Sequence, residues 1–156
     1  MIDSIQVRQL AYGSGEYEES LRLRNEVLRR PLGMEIANDD LSGDLSALHV
    51  GAFAGERLVG ILLLRPKSAG VLQMKQVAVD ESLRGRSVGR KMVEYAETLA
   101  AAQGCEEIVL HAREIAVPFY ERLGYAREGE RFEEIGIPHY VMSKKLGRRT
   151  DSANAN

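Results

Sequence analysis

One stretch narrows the fold more than any other: Val71 to Ala112. It opens with the apolar strand pattern "VLQMKQVAV" and passes through the glycine-flanked basic turn "RGRSVG". A helix pattern then starts at about Val88 and stops at Gly104, and a second strand pattern, "EIVLHA", follows. Val88, Met92, Tyr95 or Ala96, and Leu99 make one apolar face, with Lys91, Glu94 and Glu97 largely elsewhere. Two strands joined through one helix and short turns form a βαβ unit, parallel and right-handed. The apolar end of the first strand suits a central position in a sheet.

The rest of the chain reads as strands and helices around this unit. "IQVRQLA" alternates and predicts a first strand. "GSGE" breaks it, with Ser14 as N-cap of a helix from about Glu16 to Arg30 that Pro31 ends. Residues 33–44 read as irregular, with one helical turn. "ALHVGAFA" and "RLVGILLLR" predict two strands joined at Gly55-Glu56, and "PKSAG" the next turn. "AVPFYERLG" reads as a short helix, and "YAREG" and "HYVMSKKL" as closing strands. The expectation is a mixed α/β domain over 1–146 with a disordered polar tail over 147–156.

Composition removes several classes of function. A formal net charge of -2 lacks the broad basic excess of a nucleic-acid binder. Cys105 is the sole cysteine, so no internal disulfide can form. His49, His111 and His139 show no metal-ligand spacing, and no metal is expected. No apolar run approaches the roughly 20 residues that span a bilayer. The N-terminus lacks a signal-peptide layout, so the expected location is cytoplasmic, with no membrane partner. A homodimer is left open.

The basic turn is where chemistry enters. A glycine-bearing turn that leads into a helix offers unpaired backbone N–H groups and the positive end of the helix dipole, which together suit phosphate. A P-loop needs GxxxxGK[ST], but only three residues separate Gly85 from Gly89, and Arg90-Lys91 follows. A dinucleotide fingerprint needs GxGxxG on a first strand, and that spacing is absent. The bland reading is a solvated basic turn. Arg84-Gly85-Arg86-Ser87-Val88-Gly89 resembles the R/Q-x-x-G-x-G/A motif of the GNAT superfamily of acyl-CoA-dependent N-acyltransferases. The order around it agrees, from "QVAVD" through the helix and "IVLHA" to "AVPFYERLGY", and the resemblance covers roughly residues 4 to 146. "GIPHYVM" is similar to a small bacterial ElaA-like and YjcF-like subgroup.

The resemblance implies a mostly antiparallel sheet with one parallel crossover and a V-shaped splay between strands four and five. It implies acetyl-CoA as co-substrate, held by Arg84, Gly85, Arg86, Ser87, Val88, Gly89 and Arg90 and by the main chain of Val77, Ala78 and Val79. The Val77 N–H would face the thioester carbonyl; the plainer reading makes Val77 and Val79 core residues. Tyr120, in "PFYERLGY", would protonate the departing thiolate. Two departures stand out: Ser87 replaces the motif's first glycine, and Arg113 replaces an asparagine common seven residues before the tyrosine. Gln73 stands where some histone-modifying members carry a basic glutamate, so His139 and Glu134 are the candidate bases. The competing reading makes His139 a turn histidine bonded to backbone, and His49 and His111 read as structural.

The implied function is acetyl transfer to a primary amine of a small molecule or peptide, by direct attack in a ternary complex. The alternative is a non-catalytic acyl-CoA-binding sensor or partner subunit. The acceptor would meet the first helix, residues 33–44 and the connection around Glu133–His139. Asp39, Asp40, Glu133 and Glu134 suit a cationic acceptor, whereas Arg22, Arg24, Arg29 and Arg30 suit an anionic one.

Overall fold

Ser14 does cap the first helix: its hydroxyl accepts the Tyr17 N–H at 3.2 Å, and α1 spans Gly15–Arg24. This computed structural model describes residues 4–85 and 87–147. Helical backbone continues past α1 as a π turn at Asn25–Arg29 and a 3-10 turn at Arg30–Leu32. The helix expected to Arg30 therefore changes hydrogen-bond pattern at Asn25. The Asn25 side chain leaves the helix, accepting the Ile36 N–H at 2.7 Å and donating to Glu35 at 3.1 Å.

Seven strands follow the order β1-β2-β3-β4-β5-β7-β6, with β1 at Ile5–Leu10, β2 at Leu48–Ala54 and β3 at Arg57–Ser68. β4 is Val71–Val79, β5 Glu107–Arg113, β6 Ala126–Glu134 and β7 Ile137–Lys145. β1–β2, β2–β3, β5–β7 and β6–β7 pair antiparallel, and β4–β5 pair parallel. This is the mixed α/β GNAT-like architecture that the resemblance implied. The parallel ladder joins Val71–Met74 to Glu107–Leu110, while β4 runs on to Val79 and β5 to Arg113.

Three boundaries differ from the sequence reading. β3 continues through "RPKS", so the turn narrows to Ala69-Gly70. β6 extends to Glu134 and β7 begins at Ile137. The presumed loop holding Glu133, Glu134 and His139 is thus a hairpin whose turn is Ile135-Gly136, both at positive φ (46° and 72°). Two such residues match the right-handed twist of the flanking strands.

The chain forms two compact units. One comprises the residues up to Arg65 with Gln76–Ala96; the other comprises Pro66–Lys75 with the residues from Glu97 onward. The strands β3 and β4 and the helix α2 (Val88–Ala102) each begin in one unit and end in the other. In the first unit Leu10, Tyr17, Leu23, Phe53, Leu58, Ile61, Leu63 and Ala78 share a core. The helix α2 sits close on β3, because a Cβ on Gly60 would lie 2.9 Å from the Met92 sulfur. That close approach anchors the helix whose first turn carries the basic loop.

Candidate active site

The end of β4 is tied down before the loop begins. The Asp80 N–H donates to Val59 O at 2.8 Å, and the Asp80 carboxylate accepts from the Ser82 hydroxyl at 2.7 Å, the Ser82 N–H at 2.9 Å and Arg57 at 2.7 Å. These donors, the Ser82 hydroxyl foremost, hold the Asp80 carboxyl below its ordinary range. Arg84 and Gly85 follow, with Gly85 at φ 81° and nothing near the position of a Cβ. Arg86, part of the expected phosphate loop, lies outside the described residues. Leu23, Glu26, Val27 and Pro31 face Asp80, Glu81 and Arg84 across a cavity of about 340 Å³ in the same unit.

The first backbone bond of α2 runs from the Lys91 N–H to Ser87 O at 3.0 Å. The N–H groups of Val88, Gly89 and Arg90 precede it and have no acceptor inside the helix. Ser87 sits at φ 66°, a left-handed conformation that glycine takes without steric cost. The left-handed backbone alone gives a physical reason for the motif's usual glycine. Ser87→Gly should keep or improve coenzyme A affinity by titration calorimetry and remove about 1 kcal/mol of left-handed strain.

On β4, Ala78 packs in the core, while Val77 and Val79 are only half-buried. Val77 and Val79 thus sit at the margin of the core, not inside it. Gln76, immediately before them, adopts φ 58° within the strand.

The second unit holds the titratable candidates. α3 (Val117–Arg122) carries Tyr120, whose ring is enclosed and meets Phe119 and Tyr125 edge-on at 4.9 and 5.8 Å. Burial pushes the Tyr120 phenol up, and no hydrogen bond contributes to that shift. The strand register puts Arg113 opposite His139, and His139 opposite Phe132. Because side chains alternate, His111, Phe132, Glu134 and His139 share one face of the sheet. His111 Nδ1 bonds Glu134 Oε1 at 2.8 Å, and His139 Nε2 lies 4.0 Å from Glu134 Oε2. His139 Nδ1 is 2.7 Å from Ile137 O. A carbonyl only accepts, so Nδ1 carries the proton and neutral His139 keeps its lone pair at Nε2. His139 is thus bonded to backbone, and that bond aims its basic nitrogen at Glu134. His111, read from the sequence as structural, is the residue that orients the carboxylate.

The description of an acetyltransferase (GNAT) domain matches residues 25–146. The chain belongs to the GNAT acetyltransferase family. The N-acetyltransferase YjcF of Bacillus subtilis strain 168 is 28% identical over 136 residues, covering 86% of this chain and 96% of the relative. Among solved structures, Escherichia coli ElaA superposes with a TM-score of 0.80 at 22% identity, covering 90% of this chain and 99% of ElaA. An aminoglycoside 6'-N-acetyltransferase complexed with coenzyme A superposes with a TM-score of 0.74 at 18% identity, covering 92% and 98%. These two structural likenesses speak to the fold alone. Family and fold together make the protein an acyl-CoA-dependent acyltransferase of the GNAT type. No helix among the described residues is long and apolar enough to cross a membrane.

As a GNAT protein the chain shows charges in its first unit that the sequence left in conflict. Arg24 is 2% exposed and pairs with Asp44 at 2.8 Å. Arg29 pairs with Asp39 at 2.8 Å, and Arg30 with Glu35 at 3.5 Å. Arg24, Arg29 and Arg30 therefore neutralise carboxylates of the same unit and form no open anion patch. Sequence reasoning grouped Arg24 with the surface arginines because α1 buries Tyr17, Ser20, Leu23 and Arg24, a face with little apolar signal.

Proposed function

We propose that the protein transfers acetyl from acetyl-CoA to a primary amine by direct attack in a ternary complex. The observation that carries this reading is the first turn of α2. In a member of this family, the amides of Val88, Gly89 and Arg90 precede the first backbone bond of the helix and follow Gly85 and Ser87, both of which adopt left-handed backbone. Those donors, with the positive helix end, suit the diphosphate of coenzyme A. The solved neighbour complexed with coenzyme A supports the same co-substrate.

Acetyl-CoA supplies the activated acyl thioester. The main chain of Val77, Ala78 and Val79 binds the pantetheine arm, and the Val77 N–H donates to the thioester oxygen as negative charge develops there. Tyr120, kept neutral by burial, gives its proton to the departing sulfur. His139 Nε2 takes the proton from the amine, and Glu134, held by His111, stabilises the imidazolium that results. A primary amine is positively charged near neutral pH, so such a base is needed before attack.

Mixing the protein with acetyl-CoA and a panel of primary amines should give amine-dependent thiol release and a product heavier by one acetyl group. Tight acetyl-CoA binding with no release for any amine would replace the enzyme reading with that of an acyl-CoA sensor. His139→Ala should lower turnover roughly tenfold near neutral pH, less than the usual worth of a positioned base, because Glu134 and water remain to take the proton. The deficit should shrink at high pH, where free amine is abundant. A pH–rate profile of unchanged shape and height would remove His139 from the mechanism.

A further inference from the structure

Gln76 is the residue the roles above leave unexplained. Three non-glycine residues have positive φ among the described residues: Gln76, Ser87 and Ile135. Ser87 begins a helix and Ile135 lies in a two-residue hairpin turn, so both conformations have a local cause. Gln76 lies inside β4, where neither cap nor turn calls for a left-handed residue. Such conformations persist only where the surroundings over-determine them.

The surroundings here are a buried polar clamp. Gln76 Oε1 accepts from Arg24 Nε at 3.2 Å. The guanidinium of Arg24 also donates to Asp44 Oδ2 at 2.8 Å, and the Tyr17 hydroxyl donates to the same oxygen at 2.8 Å. Asp44 is fixed once more through its main-chain oxygen, which accepts from His49 Nε2 at 2.8 Å. Arg24, Asp44 and His49 are all buried. A planar guanidinium held on one edge by a carboxylate has little freedom left, so its Nε–H points in a set direction.

We propose that Arg24 is a positioning residue. Anchored by Asp44, it holds Gln76 in the left-handed conformation and so aims the N–H of Val77, the next residue. The proposal rests on the reading of Val77 as the donor to the thioester oxygen. It gives the polar inner face of α1 a purpose: to turn one peptide of β4. A residue in the left-handed region rotates the peptide that follows it, which is what a donor in mid-strand needs in order to leave the ladder direction.

Arg24→Met would strand Asp44 as a buried charge and could unfold the protein. Gln76→Met is the better variant, since it removes the acceptor and leaves the Arg24–Asp44 pair intact. Gln76→Glu keeps an acceptor for Arg24 and serves as the rescue. The readout is the ¹⁵N–¹H resonance of Val77 in the complexes with acetyl-CoA and with coenzyme A, which differ only in the acyl group. In the parent and in Gln76→Glu the resonance should move between the two complexes; in Gln76→Met that difference should collapse. With any amine that supports turnover, Gln76→Met should lower kcat by about ten- to a hundredfold, part of the worth of an oxyanion donor. Its KM for acetyl-CoA and melting temperature should stay close to the parent's.

A Val77 resonance that does not distinguish the two complexes in the parent overturns the donor reading, and the proposal with it. A parent that does distinguish them, with Gln76→Met responding identically, overturns the clamp and leaves the donor reading standing. Equal loss of activity in Gln76→Met and Gln76→Glu would also overturn it.

Discussion

Replacing Gly89 with aspartate should abolish coenzyme A binding while leaving the fold as stable as before, or more so. Gly89 lies in the first turn of α2, among the amides that have no partner inside the helix. A carboxylate at that end of a helix is favourable to the helix itself, by about 0.3–1 kcal/mol. Toward a diphosphate the sign reverses. Like charges about 4 Å apart near a protein surface repel by about 4 kcal/mol, close to a thousandfold in affinity before salt screening. The two effects oppose each other, so a Gly89→Asp protein that melts no lower than the parent yet shows no heat on titration with coenzyme A cannot be dismissed as unfolded. Gly89→Ala separates side chain from charge and should lose far less. Unchanged affinity in folded Gly89→Asp would sink the assignment of this loop to phosphate.

The contrast between what the sequence disclosed and what it hid is physical. The βαβ unit was legible because α2 and the strands beside it bury regular faces: Val88, Met92 and Ala96 on the helix, Leu72 and Met74 on β4, Ile108 and Leu110 on β5. The position of the turn between β4 and α2 was legible for the same reason. The strand β6 was cut short because it lies at the sheet edge, where "AREGERFEE" is exposed nearly throughout and carries no alternating signal. Its hairpin partner β7 begins earlier than the sequence reading has it, because Pro138 reads as a breaker. Yet β5 ends at Arg113 opposite His139, so Pro138 faces a partner strand on one side only, as an edge residue does. The arrangement of His111, Glu134 and His139 depends on that missed pairing, because it takes register to put residues of three strands on one face. The Arg24 clamp was hidden for a different reason. A buried arginine on a short helix looks, in sequence, like an exposed one; only its partners Asp44 and Gln76, far along the chain, distinguish it.

Tyr120→Phe should leave acetyl-CoA affinity nearly unchanged and lower turnover by roughly a hundredfold, the lower end of what a positioned acid contributes. The lower end applies because a thiolate is a fair leaving group without help. The substitution is conservative where packing is concerned: the ring keeps its edge-on contacts with Phe119 and Tyr125 and loses only the hydroxyl. Burial raises the phenol above its ordinary value of about 10, so the parent holds the proton-donating form through the neutral and mildly alkaline range. The sign follows for stability too. A raised folded-state value favours the fold at every pH below the unfolded phenol's, and that contribution is lost only as the solution becomes strongly alkaline. Parent turnover should therefore show no alkaline decline from this group below about pH 10, and the variant's profile should run parallel to it at a lower level. Full activity in a well-folded Tyr120→Phe protein would refute the acid role and leave water as the proton donor to sulfur. A deficit confined to turnover, with binding and melting temperature preserved, is the result expected of a hydroxyl that acts only in the transition state.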